Sequence, residues 1–539
     1  MHTMLTLLLG FWLSLGPQLE SAGALQGVVK RGGASESLAG VEVSLILADR
    51  GIRLRTTSDD QGRFAFFDLP PGKYSVNATR EGYFTYPQGR PLPANVASVT
   101  IEALQTRQLT VDLMPGAVIS GRLTDSEGRP LPGVAVSAMT LEYDEGRPAF
   151  DIGSVPKTTN ERGEYRLFWF PPGEYYIRAE VANAQSNLAR KSYYPGTMDS
   201  AMAQPLIVRG GEALDGMDFM VPTASAVLIS GRVVPEASGP ATGVVRTFYL
   251  LPRDGRPMEA YPAEFKNMRT PAAGQDNTEF SLEVRGLAPG LYDLAPFFID
   301  SDNQYHSGRT RIEIGDRNIE DLAVPPGANV HVQGRIVVEG EKSFQDWGGL
   351  QLQLRAKEPA VPLMQRSNTA RIMPDGTFSI PAVFEGLYQI HLYAGSRSRS
   401  KDLYVSAIRQ GGLDLRDEGS VDVRPSMLPL EITLSSGTGI VRGVVDAAAG
   451  ETPSYAHVVL IPQASRRANA LFYDRTTIDD RGRFVFQGVA PGEYKVFAFE
   501  RLADTAERNP AFLARYETLG SSVTVNPGIT TEIRVRFVR

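Results

Sequence analysis

Apolar residues along this chain recur with a period of two, in runs of about five to eight residues broken by glycine-bearing turns. Phe64 and Phe66, Tyr165 and Leu167, and Phe484 and Phe486 each follow a turn of the form D/N-x-x-G and alternate toward one face. Tyr74 and Val76, Tyr175 and Ile177, and Tyr494 and Val496 do the same after a P-G-x-Y turn. Helical periodicity is almost absent. Dense turn–strand–turn–strand patterning of this kind predicts antiparallel β-sandwiches.

The two turn phrases recur as a pair. The clearest copies run from Asp59 to Tyr74, Asn160 to Tyr175 and Asp479 to Tyr494, with the same spacing from Gly62 to Gly72, Gly163 to Gly173 and Gly482 to Gly492. A weaker copy places Gly376 and Gly386 at that spacing, followed by Phe378 and Tyr388. Another keeps Phe280, Leu282 and Pro289-Gly290-Leu291-Tyr292 but has Thr278 for the first glycine, which predicts a bulge or a longer corner. A further glycine lies inside the strand that opens each copy: Gly27, Gly121, Gly231, Gly334 and Gly443. Internal repetition on this scale means an array of similar units. The expected organisation is a segment 1–24 followed by five sandwiches at 25–115, 116–223, 224–326, 327–436 and 437–539.

The glycine strand, the D-x-x-G-x-F phrase and the L-x-P-G-x-Y-x-V phrase together resemble the carboxypeptidase regulatory-like (transthyretin-like, prealbumin-type) domain. Collagen-adhesin B-type repeats and starch-binding-like sandwiches are more distant relatives. The resemblance covers nearly the whole chain after residue 24, strongest in the first, second and fifth units. It implies a fold rather than an activity, since one sandwich hosts many roles. Collagen-adhesin relatives crosslink Lys to Asn with a buried acid four residues after the P-G-x-Y tyrosine. Here Ala78, Ala179, Pro296, Leu392 and Ala498 stand at those positions, so such crosslinks are not expected.

Composition narrows the function classes. A net charge of −6 over 539 residues gives no broad basic face, so nucleic acid is not an expected partner. The chain has no cysteine, which removes disulfides, thiolate metal sites and thiol catalysis. Leu5 to Leu15 is an apolar run too short to span a bilayer, and Ala22-Gly23-Ala24 follows a polar stretch. That outline is a secretory signal peptide with the mature chain starting near Leu25, although its first residues carry His2 and no Lys or Arg. No later run is long enough for a spanning helix. The expectation is an exported protein: periplasmic, cell-surface or secreted.

Catalytic motifs are missing. The five histidines, His2, His306, His331, His391 and His457, are scattered, and none belongs to an H-E-x-x-H pair. Neither a G-x-S-x-G elbow nor a phosphate-binding loop is present, and Gly437 to Gly443 has the wrong spacing for a dinucleotide loop. Acidic pairs such as Asp59-Asp60 and Asp479-Asp480 occupy turn positions, which favours a turn role over calcium or glycosidase chemistry. No cofactor or metal is expected.

Binding residues are sought where the repeat breaks its own rule. The slot of Trp169 holds Asp68, Ala382 and Gly488 in other copies, so it is not a core position and Trp169 can face solvent. Tyr193 and Tyr194 in a long loop of the same unit are candidate companions, and Trp347 is a weaker candidate. The alternative is that the loop folds back and Trp169 packs within its own unit. The expected function is a non-enzymatic binding or scaffold protein. By resemblance to starch-binding-like domains a glycan is the first ligand class, and an envelope protein partner is the alternative. A hydrolase site assembled at a domain junction from residues distant in sequence is the third possibility.

Overall fold

The structure, a computed structural model, describes residues 22–538 apart from 33–35, 48–50, 86–96, 184–185, 223–225, 235–242, 254–256, 258–260, 266–278, 286, 301, 340–349, 359–367, 395–401, 447–455 and 480. The expected signal segment, with His2, therefore lies almost wholly outside the described residues, as do Trp347, Asp480 and the corner at Thr278. Strands dominate throughout. The chain forms two compact units, one of Met1–Ile119 with Phe168–Gly173 and Ile207–Leu214, the other of Ser120–Leu167, Glu174–Leu206 and Asp215–Arg539.

The same sheet recurs in each copy of the repeat. In the first copy the opening strand Gly23–Arg31, which begins ahead of Leu25, pairs antiparallel with Arg63–Leu69 and parallel with the closing strand Thr106–Pro115. Asn329–Val338 pairs in the same way with Thr377–Phe384 and Leu430–Ser436. Gly439–Asp446 does so with Arg483–Val489 and Thr530–Val538. The sandwiches are thus mainly antiparallel, with parallel pairing where the first and last strands of a unit enter its sheet in the same direction; in the fifth copy Thr530–Val538 also pairs parallel with Gly492–Phe499. A second sheet closes each core: in the first copy Ile52–Thr57, Glu42–Leu47, Gly72–Thr79 and Ala97–Ile101, in that order. In the third copy Tyr261–Phe265 pairs with both Gly243–Pro252 and Glu279–Arg285, so its two sheets become continuous. Its register shifts between Ile229 and Gly231, against the closing strand Ile319–Val324, and again between Val245 and Thr247, against Gly290–Asp300.

The inward residues predicted from the alternation are the core. Phe64, Phe66, Tyr74 and Val76 lie in one buried cluster with Leu25, Val43 and Val111. Phe484, Phe486, Tyr494 and Val496 lie in another with Val441 and Val535. The P-G-x-Y tyrosines are tied down as well as buried. Tyr74, Tyr292 and Tyr494 donate their hydroxyls to the carbonyls of Pro70, Ala288 and Ala490, at 2.8, 2.8 and 2.9 Å. Each bond satisfies a buried hydroxyl and fixes the turn four residues upstream. Ala78, Ala179 and Ala498 are fully buried between the sheets.

The glycine of each opening strand has one cause. A methyl built on Gly334 would sit 2.4 Å from the Leu430 carbonyl of the parallel strand and 2.4 Å from the Phe378 ring. On Gly443 the distances are 2.2 Å to the Ile533 carbonyl and 2.7 Å to Phe484. The inward phenylalanine lies across space that only a missing side chain leaves open. Gly334→Ala is therefore expected to cost about 1–3 kcal/mol. Gly315→Ala, whose added methyl meets nothing within 4 Å, is expected to stay within about 0.5 kcal/mol of the parent in the same urea-unfolding series. Equal losses at both positions would show that close approach is not the cause.

Candidate functional site: a buried ionic junction and an exposed tryptophan

The acids of the turn phrase are occupied by their own turns. Asp59 Oδ1 accepts from the amides of Gln61 and Arg63, at 2.9 and 2.8 Å, while its Oδ2 accepts from Arg63 Nε at 2.9 Å. Asp479 repeats the arrangement with Arg481 and Arg483, and Asn160 does so with the amides of Arg162 and Glu164. The Arg63 amide and guanidinium hold the Asp59 carboxyl below its ordinary range against the opposing effect of burial. These carboxylates are turn staples. Among the described residues no group of three or more His, Asp and Glu side chains is arranged to hold a metal ion.

The histidines are dispersed, and one of them meets a carboxylate far away in sequence. The strands Ala135–Asp144 and Arg147–Asp151 form a hairpin whose two tip residues, Glu145 and Gly146, both have positive φ, 50° and 78°. That is the twist-matched two-residue turn that glycine favours. The tip carries Glu145, with its side chain only 6% exposed, to Arg355 at 2.9 Å, His391 at 3.3 Å and Arg508 at 2.5 Å. The backbone of the tip is also held. Asn509 Nδ2 donates to the Gly146 carbonyl at 2.8 Å, Thr505 Oγ1 donates to the Tyr143 carbonyl at 2.9 Å, and the Tyr143 ring lies 6.0 Å from Phe512.

The network extends to neighbouring sandwiches of the same unit. Asp144 pairs with Arg355 at 3.1 Å, and Arg147 donates to the Ala356 carbonyl at 3.3 Å. Nearby, Glu358 meets Arg253 and Arg309 at 3.5 and 3.2 Å, and Arg253 holds the buried Asp293 at 2.7 Å. Residues of four sandwiches thus converge on the strand and turn around Arg355 to Glu358.

A carboxylate beside a histidine at a domain junction has the outline of the hydrolase site considered above. Its electrostatics point elsewhere. Burial alone would raise the Glu145 carboxyl, but the bond to His391 and the charges of Arg508, His391 and Arg355 hold it down at about 2. A general acid or base needs a pKa near the working pH. Glu145 is instead a fixed anion matched to surrounding cations, which is how a buried charge is stabilised.

Trp169 is the other candidate. It is 52% exposed, and its φ is +65°. Asp68, Ala382 and Gly488, its counterparts, have φ of 55°, 58° and 72°. In the first, fourth and fifth copies the register slips at this place, two residues facing one, so the slot is a left-handed β-bulge. Asp and Gly share that slot because both tolerate positive φ, a signal that a reading by polarity alone misses. A tryptophan there is strained, and its packing holds it. The indole lies over Gly82, and a methyl on Gly116 would come within 2.6 Å of Trp169 Cα and 2.8 Å of Phe84. Half of the ring is thereby covered and half is open. The proposed companions differ from it. Tyr193 is fully buried with its ring 5.9 Å from Phe150, which corrects its expected place on the surface. Tyr194 is half-buried and meets Phe219 edge-on at 6.0 Å.

Residues 24–114 match the family model described as the carboxypeptidase regulatory-like domain. The match covers the first sandwich and less than a fifth of the chain. No curated protein matches the sequence. Among solved structures, the chain is similar to the Bacillus anthracis TIE protein, at 14% identity over 56% of this chain and 51% of that one, with a TM-score of 0.17. It spans about half the length of that protein. It is also similar to GBS52, the minor pilin of the gram-positive pathogen Streptococcus agalactiae, at 12% identity over 37% and 96% of the two chains, TM-score 0.22. The third is BcpA, the major pilin subunit of Bacillus cereus, at 13% identity over 57% and 99%, TM-score 0.15. TM-scores at this level carry no argument about what the chain does. The regulatory-like domain itself supplies a fold, and the sites above are read from their own chemistry.

Replacing Glu145 by Gln leaves Arg355 and Arg508 facing a neutral amide, with an expected loss of about 3–5 kcal/mol at neutral pH. The stabilisation by Glu145 is fully present above its ordinary value of 4.5 and is lost as the pH falls toward about 2. Denaturant unfolding of parent and variant from neutral to acid pH should therefore show a gap that narrows below about 4.5. A variant as stable as the parent at neutral pH would remove Glu145 from this role.

Proposed function

We propose that this chain is a non-enzymatic scaffold of tandem β-sandwich domains that works outside the cytoplasm and holds binding surfaces in fixed relation. The observation that carries the reading is the Glu145 junction. Its buried ionisable groups, which in an enzyme would be kept free to react, are paired so as to join sandwiches distant in sequence. The turn carboxylates are spent in the same way within each domain. Export is supported by the apolar run Leu5 to Leu15 and the small residues that follow it. Among the described residues no helix is long and apolar enough to cross a membrane.

A scaffold requires its joined sandwiches to unfold together. Scanning calorimetry of the full chain is expected to show the sandwiches that meet at Glu145 melting in one cooperative transition, which Glu145→Gln splits. Separate transitions in the parent would sink the scaffold reading. So would hydrolysis of any member of a broad substrate panel that is lost in both Glu145→Gln and His391→Ala.

A glycan-binding reading has one observation in its favour, the half-open face of Trp169, since an indole held on a rigid strand can stack on a sugar ring. Trp169→Asn suits its test because asparagine accepts positive φ and keeps the bulge. If Trp169 contacts glycan, affinity electrophoresis in polysaccharide gels should retard the parent and not the variant, with the melting temperature measured alongside. Equal migration of the two proteins would leave Trp169 a packing residue.

A further inference from the structure

The seat of the hairpin tip holds a second buried carboxyl. The tip rests on residues 502–516 of the fifth sandwich, where the short turn Ala506–Arg508 precedes the helix Pro510–Ala514. Thr505, Arg508 and Asn509, which hold the tip, flank Glu507 in the chain. Thr505 binds the tip twice, since its Oγ1 also accepts from the Gly146 amide at 3.3 Å. Its φ of +54° is a left-handed conformation that threonine keeps only where contacts hold it. Glu507 is 5% exposed. Its carboxylate accepts from its own backbone amide, and Oε2 is buried with no hydrogen-bond partner.

Two buried acids therefore face one guanidinium. Arg508 Nη1 is taken by Glu145 at 2.5 Å, and the same guanidinium acts on Glu507 and lies 5.7 Å over the Tyr473 ring. The other cation near Glu507 is Arg475, which is already engaged. It donates to the carbonyls of Leu502 and Ala503, at 2.8 and 3.4 Å, and pairs with Asp504 at 3.4 Å. Asp504 also lies near Glu507 and opposes its ionisation, and the buried Tyr473 faces the same carboxyl. On the hairpin, Glu142 accepts from the Asp504 amide with Asp151 nearby, while Arg147 is turned to Asp144 and the Ala356 carbonyl. From the helix, Arg515 acts on Tyr143. Burial pushes the Glu507 carboxyl above its ordinary range against the pull of Arg508 and Arg475. Glu145, by contrast, is held at about 2. Neighbouring acids driven apart in this way take opposite protonation states.

We propose that the turn carrying Glu507 is a proton-operated latch on the hairpin tip: neutral Glu507 leaves the turn docked, and its ionisation, with the proton passing to solvent, loosens the turn from the tip. A buried carboxylate needs partners or water. Once charged, Glu507 either draws Arg508 away from Glu145 or moves outward with Thr505 and Asn509, and each movement removes bonds to the tip. A carboxyl raised on folding adds stability that is fully present below its ordinary value of 4.5 and is lost as the pH rises through the folded value. Glu145 acts in the opposite sense, losing its contribution as the pH falls below 4.5. The tip is therefore held most firmly in mildly acid solution. The latch governs the grip on the tip, so its failure leaves the scaffold reading to its own calorimetric test.

Hydrogen exchange of the full chain, followed by mass spectrometry and expressed as protection factors, reads the grip at amides 143–147. In the parent, protection is expected to fall at least about threefold between about pH 5 and about pH 8. Glu507→Gln keeps the shape of the side chain and removes the charge. It is expected to flatten that fall and to exceed the parent's protection at the higher pH. Glu161→Gln, on an exposed turn of the second sandwich, is expected to keep the parent's profile. Protection that is level or rises with pH in the parent overturns the latch, as does a parental slope in Glu507→Gln. A Glu507→Gln chain that fails to fold, or is less protected than the parent at the higher pH, overturns it too, because the neutral form is the one that docks. A flattened profile in Glu161→Gln would trace the effect to overall charge and equally overturn it.

Discussion

Within every repeat, one close approach sets the rest of the structure. The opening strand runs so near the closing strand that a methyl on its central glycine would lie 2.0–2.4 Å from a carbonyl of that neighbour in all five copies. In the first, fourth and fifth copies the space left by the glycine receives the phenylalanine ring of the D-x-x-G-x-F phrase, which is buried in the core. The left-handed bulge further along the same strand pair re-aims the chain before the P-G-x-Y turn. The buried tyrosine hydroxyl then pins that turn. Glycine, ring, bulge and tyrosine form one connected device, and the loss of any member is felt by the others through packing.

Charge is handled in three distinct ways on this scaffold. Turn carboxylates accept from amides two and four residues on and from the arginine beside them, a local arrangement that any single unit can make. Glu145, by contrast, is stabilised only because a hairpin tip brings it to cations from two other sandwiches. Its low pKa is a property of the junction and not of the residue. Glu507, buried beside the same Arg508, is left uncharged in the docked turn. Desolvation explains the division: buried charges require partners, and exposed ones do not.

Much of the fold was legible in the chain. The period of two and the paired glycine phrases located the strands, the inward aromatics and the turn role of Asp59 and Asp479. Each of these depends on neighbours close in sequence. The candidate site was less legible. Trp169 was singled out by its counterparts Asp68 and Gly488, but polarity suggested an exposed face where the shared cause is a backbone of positive φ. Tyr193 reads as a loop residue yet lies fully buried, because whether a loop folds over its own sheet depends on contacts that alternation does not encode. Glu145 carried no signal beyond a Glu-Gly hairpin turn, since its partners Arg355, His391 and Arg508 lie more than two hundred residues away.

The amino-acid sequence by itself determined the repeating sandwich, for strand period, turn chemistry and glycine placement act over a few residues and are written directly into the chain. Only the tertiary structure decided which charges are buried and paired, which tyrosine is hidden, and which buried carboxyl stays uncharged. Those outcomes follow from how strands of different units and distant loops are brought together, and electrostatic and packing energies depend on that proximity and not on order along the chain.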